Sequence, residues 1–445
     1  MNHSKLFSGL ILMAGALVPA VLPAQDTESY EMAPVNYSKS TPKDDISRIE
    51  AEIKAGTLKF EGGDRQVVLA LMNRLHIPVS SQVLVFSKTS FQNDRISPEH
   101  PRSLYYSDTV YMGWVPGGLV ELAAIDPQLG PVFYSFDPRG LSASHPPKFA
   151  RDNDCLRCHG GMFVRNIPGV VVRSVYADGK GEPIYRQGTE LVDYRTPFSD
   201  RWGGWYVTGT HGNSLHRGNT FASEDGTKLV FNPAPGANLT NLAGFFDAHD
   251  YLTTSSDIVS LMVFEHQAAM QNSLTRANLS CRQMLDYQVR LQKDLNEVPS
   301  TNGEPTYTSV RSMFDHAAED VVDTLLFKDE AVLPDKIGGS AEFQHAFASN
   351  APRSSEGNSL KDLLASEHLF KNRCSYLIYS DTFLSLPAAL KQRIYARLER
   401  ALDEDHPDPR YTYIHRSERQ RITRILRETH PDFGRLCQGA KKIGG

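Results

Sequence analysis

The sequence predicts an α+β fold: a β-rich central region followed by a helical C-terminal half. Two observations carry this. Between about residues 81 and 250, short runs rich in β-branched and aromatic residues alternate with Gly, Pro and Asp. After residue 251 the apolar residues recur at helical spacing instead. Strands followed by helices, rather than alternating with them, is the α+β pattern. The 445 residues exceed the size at which one core usually stops growing, so more than one domain is expected. The boundaries fall at 1–24, 25–80, 81–250 and 251–445.

The first segment reads as a signal peptide. Lys5 gives a weakly positive start, and Gly9 to Leu22 is apolar and uncharged. That run is shorter than the roughly 20 residues a membrane-spanning helix needs. Cleavage is expected near Ala24, with Ala20 as the other choice, giving an exported, periplasmic protein. No later segment has the length and hydropathy of a transmembrane helix.

Residues 25 to 43 are polar, with Pro34 and Pro42. Ile46, Ile49 and Ile53 then form one helical stripe stopped by Gly56, and a second helix ends before Pro78. Strands are expected in "QVLVFSK", "SLYYSD", "TVYMGWV", "LVELAAID" and "PVFYSFD". "VVVRSVY" and "EPIYR" flank "ADGKG" as a hairpin, and "WGGWYVTGT" reads as another strand. This texture is that of a PAS-like ligand domain. A long helix then begins near residue 256 with Ser255 or Ser256 as its cap, followed by helices at Val310–Phe327, Ala388–Leu402 and Ser417–Glu428. The net charge of −5 argues against a nucleic-acid partner. The basic run from Arg416 is spaced as a solvated helix face.

The chemistry concentrates in "RDNDCLRCHGGMF". Cys155, Cys158 and His159 stand within five residues of a chain with 5 cysteines and 15 histidines. A shuffled chain of this composition contains Cys-x-x-Cys-His about 0.002 times, so the pattern is specific. Residues three apart share one face of a helical turn. Two thiols so placed can form thioethers to one porphyrin, and the adjacent histidine can ligate its iron. Gly160 and Gly161 allow the chain to turn away close to the macrocycle. Three rivals exist. A thioredoxin-like pair wants a strand before it and a helix after it. A zinc site wants a second ligand pair. A Cys155–Cys158 disulfide closes a very small loop.

"CLRCH" behind a signal peptide resembles the haem-attachment site of c-type cytochromes. From about Val83 to Asn272 the chain also resembles a large, little-characterised group of bacterial periplasmic proteins with a single haem c. The matching stretches are "VFSKTSFQ", "ISPEHPRSLYYSD", "GWVPGG", "FYSFD", "CLRCH", "IPGVVVRSVY", "WGGWYVTGTHG" and "SDIVSLMVFEHQ". The resemblance implies one covalent haem c, with His159 as proximal ligand, and electron transfer with periplasmic redox partner proteins. The chain departs from small cytochromes c in its length, in its mid-chain motif, and in lacking a "GTxMP"-like segment for a distal methionine.

The sixth iron position separates the possible functions. His266, His211 and Met262 are the candidate distal ligands; His216, His249 and Met270 are weaker ones, and His145 weaker still. Arg151, Arg157, Arg165 and Arg173 are candidates for pairing haem propionates. Trp202 and Trp205 are candidates for packing on the porphyrin. Cys281, Cys374 and Cys437 remain, an odd count in an oxidising compartment. Electron transfer is the leading reading. The alternatives are a haem enzyme acting on peroxide or another small oxidant, with His211 or His266 and Glu265 as acid–base groups, and a haem-based redox or gas sensor.

Overall fold

A computed structural model describes residues 28–142 and 144–434. The signal-peptide reading and Cys437 therefore lie outside the described residues. The fold is α+β, as the sequence pattern predicts. Two short helices come first, α1 (Asp45–Lys54) and α2 (Asp64–Arg74). Asp44 caps α1 by accepting from the Ser47 amide at 2.8 Å, and the Ile46/Ile49 stripe is buried.

Strands β1 (Val83–Val85), β2 (Arg102–Tyr106), β3 (Val110–Trp114), β4 (Val120–Asp126), β5 (Gly130–Phe136) and β6 (Ala150–Arg151) follow in a meander. They join β9 (Trp205–Tyr206) in one antiparallel sheet of order β6-β5-β4-β3-β2-β1-β9. The helical turn α3 (Leu156–His159) follows β6. The small hairpin β7 (Arg173–Val175) with β8 (Thr189–Leu191) comes next, then β9 (Trp205–Tyr206). Period-2 alternation sorts the sheet's two faces. Tyr105, Met112, Leu122 and Tyr134 stand in register on the face packed against α1 and α2. Tyr106, Tyr111, Ala123 and Phe133 stand on the opposite face.

That second face packs against α4 (Ile258–Asp294), whose 37 residues span about 55 Å at 1.5 Å per residue. A second small hairpin, β10 (Ser223–Asp225) with β11 (Lys228–Val230), lies on the way to it. Helices α5 (Thr308–Leu325) and α6 (Ala341–Ala348), hairpin β12 (Leu363–Ser366) with β13 (His368–Phe370), and helices α7 (Asp381–Leu384), α8 (Ala388–Ala401) and α9 (Arg416–Thr429) complete the chain. One core runs from Val83 through α4 to Phe433, so the β-rich centre and the helical half share their apolar interior across residue 250.

Several local expectations are corrected. Asp257, not Ser255 or Ser256, caps α4, accepting from the Ser260 amide at 2.9 Å. Ser256 instead stitches the sheet: its hydroxyl donates to the Tyr206 carbonyl at 2.6 Å and accepts from the Leu84 amide at 2.9 Å. The hairpin after β7 is longer than the "EPIYR" pairing, because Pro183 forms only an isolated bridge to Ala177 and the strand resumes at Thr189. A proline has no N–H with which to continue a ladder. On α9 the basic face is only partly solvated. Arg419 is buried and donates to the Ile414 and Glu404 carbonyls, while Glu418 binds Arg373 at 2.7 Å. Among the described residues no helix is long and apolar enough to cross a membrane.

Candidate functional site

The motif forms one tight turn. Asp152 accepts from the Asp154 amide at 2.9 Å, starting a 3₁₀ turn at Asn153–Cys155 that runs directly into α3. Cys155 and Cys158 are thereby three residues apart on continuous helical backbone, on one face. Cys158 is exposed. Cys155 is half-buried against the core, and burial, together with the Asp152 and Glu121 carboxylates, pushes its thiol up to about 12. Neither thiol is in a disulfide.

His159 is fixed from two directions. Its Nδ1 lies 2.9 Å from the Gly169 carbonyl, and its own carbonyl accepts from the Gly169 amide at 2.8 Å. A carbonyl can only accept, so Nδ1 carries the proton and Nε2 keeps a free lone pair. The ring packs against Phe133 on the α4 face of the sheet, centroids 4.8 Å apart. Burial holds its basicity below the ordinary histidine value, opposed by the hydrogen bond to Gly169. A neutral imidazole with Nδ1–H tied to a carbonyl is the usual arrangement of a metal-ligating histidine.

The Gly169 segment is itself clamped. Val170 donates from its amide to Asn272 Oδ1 and accepts from Asn272 Nδ2, both at 2.8 Å. A side-chain amide on α4 thus pairs with Val170 as a neighbouring strand would. Gly160 and Gly169 are required for space rather than for turning, whereas a Cβ on Gly161 would meet nothing closer than the Arg157 carbonyl at 3.8 Å. Gly160 has ordinary negative φ, and a Cβ there would meet the Tyr30 hydroxyl at 2.6 Å. A Cβ on Gly169 would meet Asn272 Oδ1 at 2.8 Å. Gly169 and Asn272 are the positioning residues that sequence reading missed. The only signal for either was the glycine in "IPGVVV".

The other candidates are held elsewhere. His211 uses both ring nitrogens: Nδ1 donates to the Ser214 carbonyl at 2.7 Å and Nε2 accepts from the Asn238 amide at 2.9 Å. His266 is fully buried, with Nε2 2.8 Å from Ser375 Oγ and its ring stacked on Phe327 at 4.1 Å. Met262 is buried in the core on the α4 face. None of the hydrogen bonds or ring contacts of His211 or His266 involves His159. Trp202 donates to Glu265, and Trp205 Nε1 donates to the Arg173 carbonyl at 2.7 Å. Glu265 also accepts from Arg201 at 2.9 Å. Burial pushes its carboxyl up to about 7, opposed by Arg201 and Trp202.

Of the four arginines near the motif, Arg151 donates to the Tyr37 and Ser40 carbonyls, fastening the lead-in segment. Arg157 is exposed, Arg173 reaches Thr189 at 3.1 Å, and Arg165 lines a cavity beside α4. His145 lies on an exposed loop with Ser142 and Ser144. Cys281 and Cys374 are buried and unpaired.

No protein-family model, curated protein or solved structure matches the chain. A functional reading therefore rests on the chemistry of the site itself.

Two buried histidines give a pH prediction. Burial pushes His266 and His216 down to about 3, so both are neutral in the folded protein at pH 7. Their folded values lie below the unfolded value of about 6.5, so the unfolded state binds more protons between pH 6.5 and 3. Their contribution is complete above pH 6.5 and falls by about 1.4 kcal/mol per group for each pH unit of acidification. Buried Glu265 and Glu330 are raised to about 7 and act oppositely between pH 7 and 4.5. Over pH 6.5 to 4.5 these four groups nearly cancel, while from 4.5 to 3 only the two histidines act, so their joint contribution is expected to fall steeply there. Relative to the parent, His266→Gln should lose less stability on acidification from pH 6.5 to 3. Urea unfolding at each pH, with a variant profile parallel to the parent, would refute this.

Proposed function

We propose that this chain is an exported c-type cytochrome. It binds one haem covalently through Cys155 and Cys158, takes His159 as the proximal iron ligand, and passes electrons between periplasmic redox partners. One observation supports this most: the Gly169 carbonyl holds Nδ1–H of His159, which leaves Nε2 as a donor atom beside two cysteines on one helical turn. The donor set fits the group. When bound, an iron porphyrin supplies reversible one-electron exchange.

The remaining work belongs to this chain's residues. Cys155 and Cys158 would tether the macrocycle edge. Gly169 keeps the His159 ring from rotating and strengthens its donor character. Phe133 closes one side of the imidazole and excludes water from it. Cys158 and Met162 are exposed, so the tethered edge would face a partner's surface, where electron exchange needs close approach.

A second reading is favoured by the placement of His211 and His266, whose hydrogen bonds and ring contacts are all made away from His159. An iron with no protein ligand on its far side binds small molecules, and the protein would then be a haem enzyme or a gas sensor.

The test is the absorption spectrum of the reduced protein purified from a host that matures c-type cytochromes, with and without carbon monoxide. Haem c bands unchanged by carbon monoxide are expected of the carrier. Rapid carbon monoxide binding would replace that reading with the second, and a protein without haem bands would end both.

A further inference from the structure

A cavity of about 360 Å³ opens between α4, the end of α5, hairpin β7–β8 and the 163–170 loop that follows the motif. Its size is within the range that holds small organic ligands. Val170, Val172, Leu191 and Ala268 supply apolar wall, and Arg165, Arg195, Arg276 and Lys328 supply positive charge. Four aspartates also line it, so the cations must be weighed one by one. Asp193 clamps Arg195, Lys328 Nζ sits 2.5 Å from Asp329, and Asp323 accepts from Arg410 and from Tyr411 at 2.8 Å.

Two guanidiniums are left over. Arg276 is 28% exposed, and its only ion pair among the described residues is a long one, 3.8 Å to Asp320. Its guanidinium makes no hydrogen bond among the described residues. Arg165, in left-handed backbone at φ 56°, donates its amide to the Met162 carbonyl at 3.1 Å, but its guanidinium makes neither a hydrogen bond nor an ion pair among them. Burial and the like charges of Arg165 and Arg195 depress the basicity of Arg276, as expected of cations gathered without enough anions.

We propose that this cavity is a carboxylate-binding site, with Arg276 and Arg165 as its anion-holding residues and the valine and alanine wall receiving an apolar body. A planar guanidinium with unused donors matches a carboxylate bidentately. Two sources share that chemistry: a haem propionate, which lies on an apolar ring, and a free organic acid. Only the first rests on the function proposed above.

The experiment uses the whole purified protein. Hexanoate is titrated by calorimetry into the parent, Arg276→Gln and Arg165→Ala, with sodium chloride as control. The propionate modes in the resonance Raman spectrum and the reduction potential are recorded for the same three proteins. Arg165 is exposed on a loop, so its variant reports on the site even if Arg276→Gln folds poorly. Saturable hexanoate binding, weakened at least about tenfold in both variants with haem signals unchanged, supports a free acid. Absent hexanoate binding with altered propionate modes and potential in both variants supports the propionate. Hexanoate bound equally by all three proteins, or no change in either arm, overturns the site. A preparation without haem bands defeats the proposed function alone, because the calorimetry still reads the cavity.

Discussion

Cys155→Ser with Cys158→Ser is expected to yield protein from which no haem survives denaturing electrophoresis, while parent protein from the same host is expected to keep a haem-stained band. The effect is all-or-none because each thioether needs its own sulfur and nothing else nearby can supply one. Among the described residues the remaining cysteines, Cys281 and Cys374, are fully buried in the core. The double variant should still fold. Cys158 is exposed and Cys155 only half-buried, so replacing sulfur by oxygen removes little packing. Far-ultraviolet circular dichroism and a urea melt check that point. A stained band of parental intensity in the double variant would refute attachment at these cysteines.

The second large effect concerns stability. Glu265→Ala is expected to cost about 3–5 kcal/mol, because it strands the Arg201 guanidinium in the interior without its counter-charge. Arg201 is 3% exposed and Glu265 is fully buried, with both carboxylate oxygens used by Arg201 and Trp202. Arg201 has no solvent to turn to. Its other donors already bind the Thr196 and Tyr194 carbonyls at 2.8 and 3.2 Å. The double variant Arg201→Leu with Glu265→Leu should recover most of the loss, since an apolar pair of similar volume removes both charges together. Urea unfolding of the single and double variants measures this. A loss below about 1 kcal/mol in Glu265→Ala would show that water reaches the pair.

Much of this architecture was legible in the residues. Local periodicity located α1, α2, α4, α5, α8 and α9, because each depends on an apolar stripe and its own termination signals. The motif was legible because its chemistry is confined to five consecutive residues. What escaped reading depends on partners distant in sequence. The cap of α4 fell to Asp257 because Ser256 was needed between Tyr206 and Leu84, about 50 and 172 residues away. Glu265 read as an acid–base candidate, yet its partner Arg201 stands 64 residues earlier. The cavity draws its walls from four separate segments, and no window of sequence contains them all. His211 and His266 looked available because a histidine's free lone pair is decided by its neighbours, and these neighbours are remote.

The Asn272 clamp sets an order of events in time. Asn272 follows Val170 by 102 residues, and the amide pairing that fixes Gly169, and through it His159, cannot form until α4 arrives over the sheet. Closing so long a loop is slow compared with forming a single helical turn. Under the proposed function, a newly exported chain would therefore present Cys155 and Cys158 on a loose strand while α4 and everything after it are still crossing the membrane. Attachment would be completed in that interval, and the arrival of α4 would then lock the ligand in place. A chain held back from attachment until after closure would offer the maturation machinery a histidine already bound to its carbonyl and a half-buried thiol.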